Sequence, residues 1–257
     1  METKVFQDMW DHMQKEGYFR NDPHYQDWHE GYQDAGVFDA SAIDLDARPE
    51  PIFENLDFSK ENLVLRGDFS LELRRALKRN EYYWLPRMFD LPSSGTVLDI
   101  GCGYGRSLEW LHKVYNHAIG IDISDYVIDI AKKRFQMIDN VCFFSNEGAS
   151  FPPEIENESI DLVYCFTVFQ HIPREFTANY LKECYRVLKP KGKIIFNLIS
   201  GINEDVDEGE LGTEWVIGYS VEQAKRLVDR AGLRCAKVNR WRSENIDASW
   251  LWVEAGK

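Results

Sequence analysis

Residues 97–105, VLDIGCGYG, constrain this chain more than any other stretch, because a strand-like run passes straight into a glycine-rich turn and then into a helical pattern. Gly101, Gly103 and Gly105 let the backbone turn tightly, and the first N–H groups of the following helix are left facing whatever lies beyond the strand. In open α/β sheets that is where ligands bind, outside the carboxyl ends of the strands. A short glycine pattern is common in loops, so its meaning depends on what surrounds it.

From Thr96 onward, β-rich runs alternate with helical stretches. The runs are TVLDI (96–100), HAIGI (117–121), VCFF (141–144), IDLVYC (160–165) and GKIIFNLI (192–199); helical patterns cover 104–115, 124–136, 174–188 and 220–231. This alternation predicts parallel strands joined by crossover helices on both faces of a sheet. Ser220 with Gln223 three residues on marks the start of the last helix, and Gly232 marks its end. CAKVNRW (235–241) and SWLWVE (249–254) lie too close together for a crossover helix, so they pair as an antiparallel hairpin. The expected fold is α/β, a doubly wound, mostly parallel seven-stranded sheet with a C-terminal antiparallel hairpin.

The first ninety residues have another texture. Val5, Phe6, Met9, Trp10 and Met13 share one face of a predicted helix over 1–17. Residues 18–62 are rich in aromatics, Asp and Pro and read as short helices and loops. A helical pattern over 68–90 starts at Asp68 and stops before the turn at 92–95. This divides the chain into an N-terminal helical cap, residues 1–92, and a ligand-binding domain, residues 93–257. Tyr18, Phe19, Tyr25, Trp28 and Tyr32 form either the core of that cap or a lid over the site, where ring faces attract a cation and exclude water.

Charge narrows the partners. Against 30 Lys and Arg stand 43 Asp and Glu, a formal net charge of −13, with no basic run. Phosphate backbones are bound by net basic surfaces, so nucleic acid is not expected as a partner. The stretch NEDVDEGE (203–210) reads as a solvated loop. The five cysteines are odd in number and include no CxxC pair; this argues against a disulfide framework or a structural zinc and for a reducing, cytoplasmic location. His24 and His29, with Asp22 and Asp27, fall on different helical faces, so no metal site is expected. No run reaches about 18 apolar residues and the acidic start lacks a signal-peptide pattern, so no membrane association is expected. The sequence carries no signal for an oligomeric state.

Two acids sharpen the glycine turn. Asp99 stands two residues before Gly101, and Asp122 ends the next strand, where a carboxylate can accept hydrogen bonds from both ribose hydroxyls. A carboxylate at Asp99 repels a pyrophosphate but attracts an ammonium or sulfonium. Residues 97–105 thus resemble the first motif of the class I, Rossmann-like S-adenosylmethionine-dependent methyltransferases: hydrophobic residues, an acid, then GxGxG. The resemblance extends to GIDIS (120–124), IDLVYCFTVFQHIP (160–173) and LKPKGKIIFNLI (188–199), and covers roughly residues 90–254.

That resemblance implies S-adenosylmethionine as cofactor and methyl transfer to a hydroxyl or amine of a small-molecule substrate by SN2 displacement. It puts the turn, Gly101, Cys102, Gly103 and Gly105, against the aminoacyl part of the cofactor beside Asp99, and Asp122 with Ile123 at the ribose. Glu147 and Gly148 take the adenine position, although NEGASFP replaces the shorter family pattern there. Cys165 and Phe166 line the methionine side. His171 is a candidate general base for a hydroxyl substrate or else a structural residue. An NAD-dependent oxidoreductase is the weaker alternative, because Arg106 stands where GxGxxG needs its third glycine. A non-catalytic binding or scaffold protein of the same fold is the other.

Overall fold

The computed structural model describes residues 3–16, 36–53, 56–65, 76–148, 150–205, 216–243 and 248–257. In chain order the elements are α1 (Thr3–Glu16), β1 (Asn62–Leu65), α2 (Glu81–Met88), β2 (Thr96–Ile100), α3 (Leu108–Val114), β3 (His117–Asp122), α4 (Asp125–Arg134), β4 (Val141–Ser145), β5 (Ile160–Cys165), α5 (Arg174–Val187), β6 (Leu188–Ser200), α6 (Val221–Arg230), β7 (Arg234–Ser243) and β8 (Ser249–Gly256).

The strands form one sheet in the order β1-β7-β8-β6-β5-β2-β3-β4. The run from β6 to β4 is parallel, and β8 lies antiparallel between β6 and β7, as the terminal hairpin requires. β2 and β5 sit centrally, so TVLDI and IDLVYC are apolar on both faces, as fully covered parallel strands must be. Helix ends follow the sequence signals. Ser220 and Gln223 form a reciprocal capping box on α6, Ser124 caps α4 through the Val127 amide, and Gly232 closes α6 with φ +84°.

Among the described residues the sheet has eight strands rather than seven. Asn62–Leu65 pairs in parallel with β7, Asn62 opposite Arg240, and so extends the sheet edge from within the region preceding residue 93. Four residues are too few for a period-two signal to stand out, and the partner strand lies near the other end of the chain. The predicted 68–90 helix is also interrupted: 76–79 are helical, Asn80 breaks the run, and α2 starts at Glu81. Residues 66–75, which hold the first part of the predicted 68–90 helix, residues 206–210 of the acidic stretch, the aromatics Tyr18, Phe19, Tyr25, Trp28 and Tyr32, and the histidines His24 and His29 lie outside the described residues. Among the described residues no helix is long and apolar enough to cross a membrane.

Two cores flank the sheet. One, under α5 and α6, gathers Leu98, Ile100, Val163, Cys165, Phe196 and Leu251. The other, under α2, α3 and α4, is aromatic: Trp84 lies 4.9 Å from Trp241 and 5.0 Å from Trp252, ring centre to ring centre. Such close, angled ring contacts fix both the sheet edge and α2. They bring residues 81–88 beside the glycine turn.

Candidate active site

The glycine turn leaves β2 with Gly101, Gly103 and Gly105 all at positive φ, a conformation side-chain-bearing residues rarely adopt. Cys102 anchors it, its amide donating to the Ile121 carbonyl at 3.0 Å and its carbonyl accepting from Gly105 at 2.9 Å. Arg134, buried in the last turn of α4, donates to the Tyr104 carbonyl and pairs with Glu109. Gly101 faces protein: a Cβ there would stand 2.3 Å from Val168. Gly103 faces open space, with nothing within 4 Å of such an atom. A ligand can therefore approach the backbone closely at Gly103.

Asp99 is 3 % exposed, and its carboxyl makes no hydrogen bond to a described residue. Burial pushes that carboxyl well above the usual carboxylate range; Glu81 and Asp122 add to the rise and Arg106 opposes it. An acid held this way gains most from a cation placed beside it. Asp122 is bound on both oxygens, accepting from the Gly103 amide and from the Ser124 amide, each at 3.0 Å. Burial raises its pKa, and those backbone bonds hold the rise in check. Each oxygen keeps a second lone pair for a hydroxyl. The acid at β2, the open Gly103 and the acid at β3 thus fit a ligand with a cationic head and a vicinal diol.

The other expected residues divide. Ile123 packs over Gly148, where a Cβ would stand 2.8 Å from its side chain. Glu147 is exposed, whereas its neighbour Asn146 is buried, its amide donating to the Asp122 carbonyl at 3.0 Å and its side chain to the Tyr180 hydroxyl at 2.6 Å. Asn146 is the polar residue that this loop turns inward, and an acid-seeking reading passes over it. Cys165 and Phe166 point to opposite faces of the sheet. Cys165 lies in the α5 side core with its thiol pKa pushed up by burial, while Phe166 meets the Trp250 ring edge-on at 5.4 Å and the tilted Trp252 ring at 5.0 Å. Cys102 is likewise a buried thiol with a raised pKa.

Past β5 the chain is strained. Thr167 has φ +60°, costly for a β-branched residue, and the Asn197 side-chain carbonyl of β6 holds its amide at 2.6 Å. His171 follows in a single 3-10 turn, half-buried, with Nε2 3.1 Å from the Gln170 amide nitrogen. Its ring meets the edge of Trp10, 6.4 Å away.

Trp10 belongs to α1, which lies along this end of the sheet. Met9 and Trp10 pack on the core of the α5 side, Asp11 accepts from the Ser124 hydroxyl and the Tyr126 amide, and the Tyr104 hydroxyl donates to Gln14 at 3.4 Å. α1 thus touches the glycine turn, the start of α4 just past β3, and His171 together. The apolar face at Met9 and Trp10 is readable from sequence; the Asp11 contact on its polar side is not, because its partner lies over a hundred residues away.

Residues 98–196 match a protein family described as a methyltransferase domain. A ubiquinone biosynthesis O-methyltransferase of Pasteurella multocida is 31 % identical over 113 residues, 40 % of this chain and 46 % of that protein. The chain spans less than half the length of the first curated relatives it matches. Among solved structures, a [4+2]-cyclase superposes with a TM-score of 0.59 at 16 % identity, covering 71 % of this chain and 82 % of that one. Haemonchus contortus phosphoethanolamine N-methyltransferase 2, solved with S-adenosyl-L-methionine, gives a TM-score of 0.54 at 16 % identity over 67 % and 51 %. At such identities the likeness is one of fold.

Proposed function

On the premise that this chain carries a class I, Rossmann-like S-adenosylmethionine-dependent methyltransferase domain, we propose that it transfers a methyl group to a hydroxyl or amine of a small molecule. S-adenosylmethionine is the cofactor of that family, and when bound it supplies a methyl group already activated on a sulfonium. The chain's own task is then to hold, orient and dehydrate. The observation that carries this reading is the nearly buried Asp99 beside an open Gly103.

Asp99 holds the cationic aminoacyl end, Gly101, Cys102, Gly103 and Gly105 present backbone to it, and Asp122 with Ile123 orients the ribose. Gly148 and the 146–147 segment border the adenine. Phe166 borders the methionine side, and Cys165 supports the end of β5 from beneath. His171 accepts the proton of a hydroxyl acceptor as methyl transfer proceeds, and α1 closes over the site to keep water out. The net negative charge and the region before residue 93 favour a small substrate over nucleic acid.

The test is calorimetry with S-adenosylhomocysteine and with NAD, together with mass spectrometry of any ligand released on denaturation. Binding of the adenosyl compound and not of NAD is expected. Affinity for NAD alone would remove the proposal, and adenosyl binding without methyl transfer to any acceptor would leave a binding protein of this fold.

A further inference from the structure

We propose that the groove between α6 and the open edge of β7 binds a short, extended, acidic segment of a partner protein. Charge is the first observation. Residues 221–242, from α6 through β7, carry seven Lys and Arg against two Asp and Glu, in a chain whose totals are 30 and 43. Lys225, Arg226, Arg230, Arg234 and Arg242 are exposed, and none of the seven cations stands in an ion pair with a described residue. Elsewhere Arg106, Arg134, Arg186, Lys189, Lys193 and Lys257 all do. Glu204, near enough to feel Arg240, gives its carboxylate to the Ser200 hydroxyl and the Gly201 amide at 2.8 and 2.7 Å. One corner of an acidic molecule is thus left with a local positive field.

The strand edge is the second observation. β1 pairs with β7 only from Asn62, opposite Arg240, and a turn at Asp57–Lys60 leads into it. The earlier part of β7 therefore has no strand on its outer side among the described residues. The Arg240 amide donates outward to the Glu61 carbonyl at 2.6 Å, and strand alternation turns the Val238 amide the same way. Here lies a groove of about 420 Å³, lined by Val221 and Lys225 of α6, by Lys237, Val238 and Arg240 of β7, and by Glu61. Arg240 is fixed by its Nε bond to the Ser249 hydroxyl at 3.1 Å, whereas Lys237 gives its ammonium to the Met88 carbonyl at 3.0 Å. An open edge offers backbone groups at the spacing of one more strand, and Lys225 and Arg240 set the sign of what lies there. The register shift between Cys235 and Lys237 bends the edge, so the added ladder is short and charge carries much of the affinity. A long polyanion would also meet the rest of a chain of net charge −13; a short segment meets this corner alone. β8, β6 and β5 separate β7 from β2, so an occupied groove leaves the proposed cofactor position open.

The experiment uses the full chain and two short capped peptides, one of alternating Glu and Thr and one with Lys in place of Glu. The Glu peptide should bind, more weakly as salt is added, and should slow amide exchange over residues 234–240. Lys225→Glu should weaken it about tenfold, whereas Lys133→Glu, the same charge change on the exposed side of α4, should leave it nearly unchanged. Should Lys225→Glu not fold, Arg240→Gln carries the test with the same expected direction. No binding of the Glu peptide, equal binding of both peptides, equal effects of Lys225→Glu and Lys133→Glu, or protection confined to another part of the chain overturns the inference. So does tighter binding of an oligothymidylate or of phosphatidylserine vesicles, which would make this corner a nucleic-acid or membrane surface.

Discussion

The Gly103 amide donates to the Asp122 carboxylate at 3.0 Å, so the turn after β2 and the end of β3 are tied by one bond at the point where the cofactor is proposed to sit. Asp122→Ala removes that tie and the acceptor for the ribose hydroxyls together. Affinity for S-adenosylhomocysteine is expected to fall by about 1–3 kcal/mol, read by calorimetry on a folded variant. Unchanged affinity would take Asp122 out of the site.

Two glycines of the same turn should behave differently. Gly101→Ala forces a Cβ to 2.3 Å from Val168 at φ +65°, so it should destabilise the fold, by about 1–3 kcal/mol or more. Gly103→Ala meets no protein atom within 4 Å and costs folding only the left-handed backbone penalty, about 1–2 kcal/mol. Its methyl occupies the approach to the backbone, so Gly103→Ala should lose cofactor binding while melting cooperatively. Normal binding in that variant would place the ligand elsewhere.

How much of this was legible beforehand follows from the range of each interaction. The glycine turn, Asp99, Asp122 and the terminal hairpin are local patterns, and sequence alone places them. Strand Asn62–Leu65 acts through a partner far along the chain, and nothing in its own neighbourhood announces it. The acid Glu147 stands out in the sequence but is exposed, and it is the uncharged Asn146 that is turned inward, where an unpaired carboxylate would cost more to bury.

Cofactor binding should depend on pH through Asp99. In the ligand-free protein burial raises its pKa, so it keeps a proton to higher pH than an ordinary aspartate. A cationic ligand stabilises the ionised form and lowers that pKa. Binding therefore releases protons, and affinity rises with pH until Asp99 is ionised without ligand, then levels off. Calorimetry in two buffers of different ionisation enthalpy measures the proton count. Net proton uptake would contradict the role given to Asp99.

His171→Ala should lower turnover roughly 100-fold for a hydroxyl acceptor and leave affinity for S-adenosylhomocysteine unchanged. With an amine acceptor, which needs no strong base, the loss should be small. Near-normal turnover on a hydroxyl acceptor would make His171 a structural partner of Trp10 and Gln170.

The last prediction concerns α1. Its contacts are with residues on both sides of the proposed cofactor position: Asp11 with Ser124 next to Asp122, Gln14 with Tyr104 inside the glycine turn, and Trp10 with His171. Several are polar bonds at a partly exposed surface, individually worth only about 0.5–1.5 kcal/mol, so the helix can open without unfolding the sheet. A ligand that orders Asp122 and the turn removes part of the cost of closing α1 over them, and the closed population rises. Amide hydrogen exchange over residues 3–16 should therefore slow when S-adenosylhomocysteine is added, and Asp11→Ala should diminish that protection without abolishing cofactor binding. Equal exchange with and without ligand, in a sample shown to be saturated, would mean that α1 is a fixed part of the core rather than a closing element.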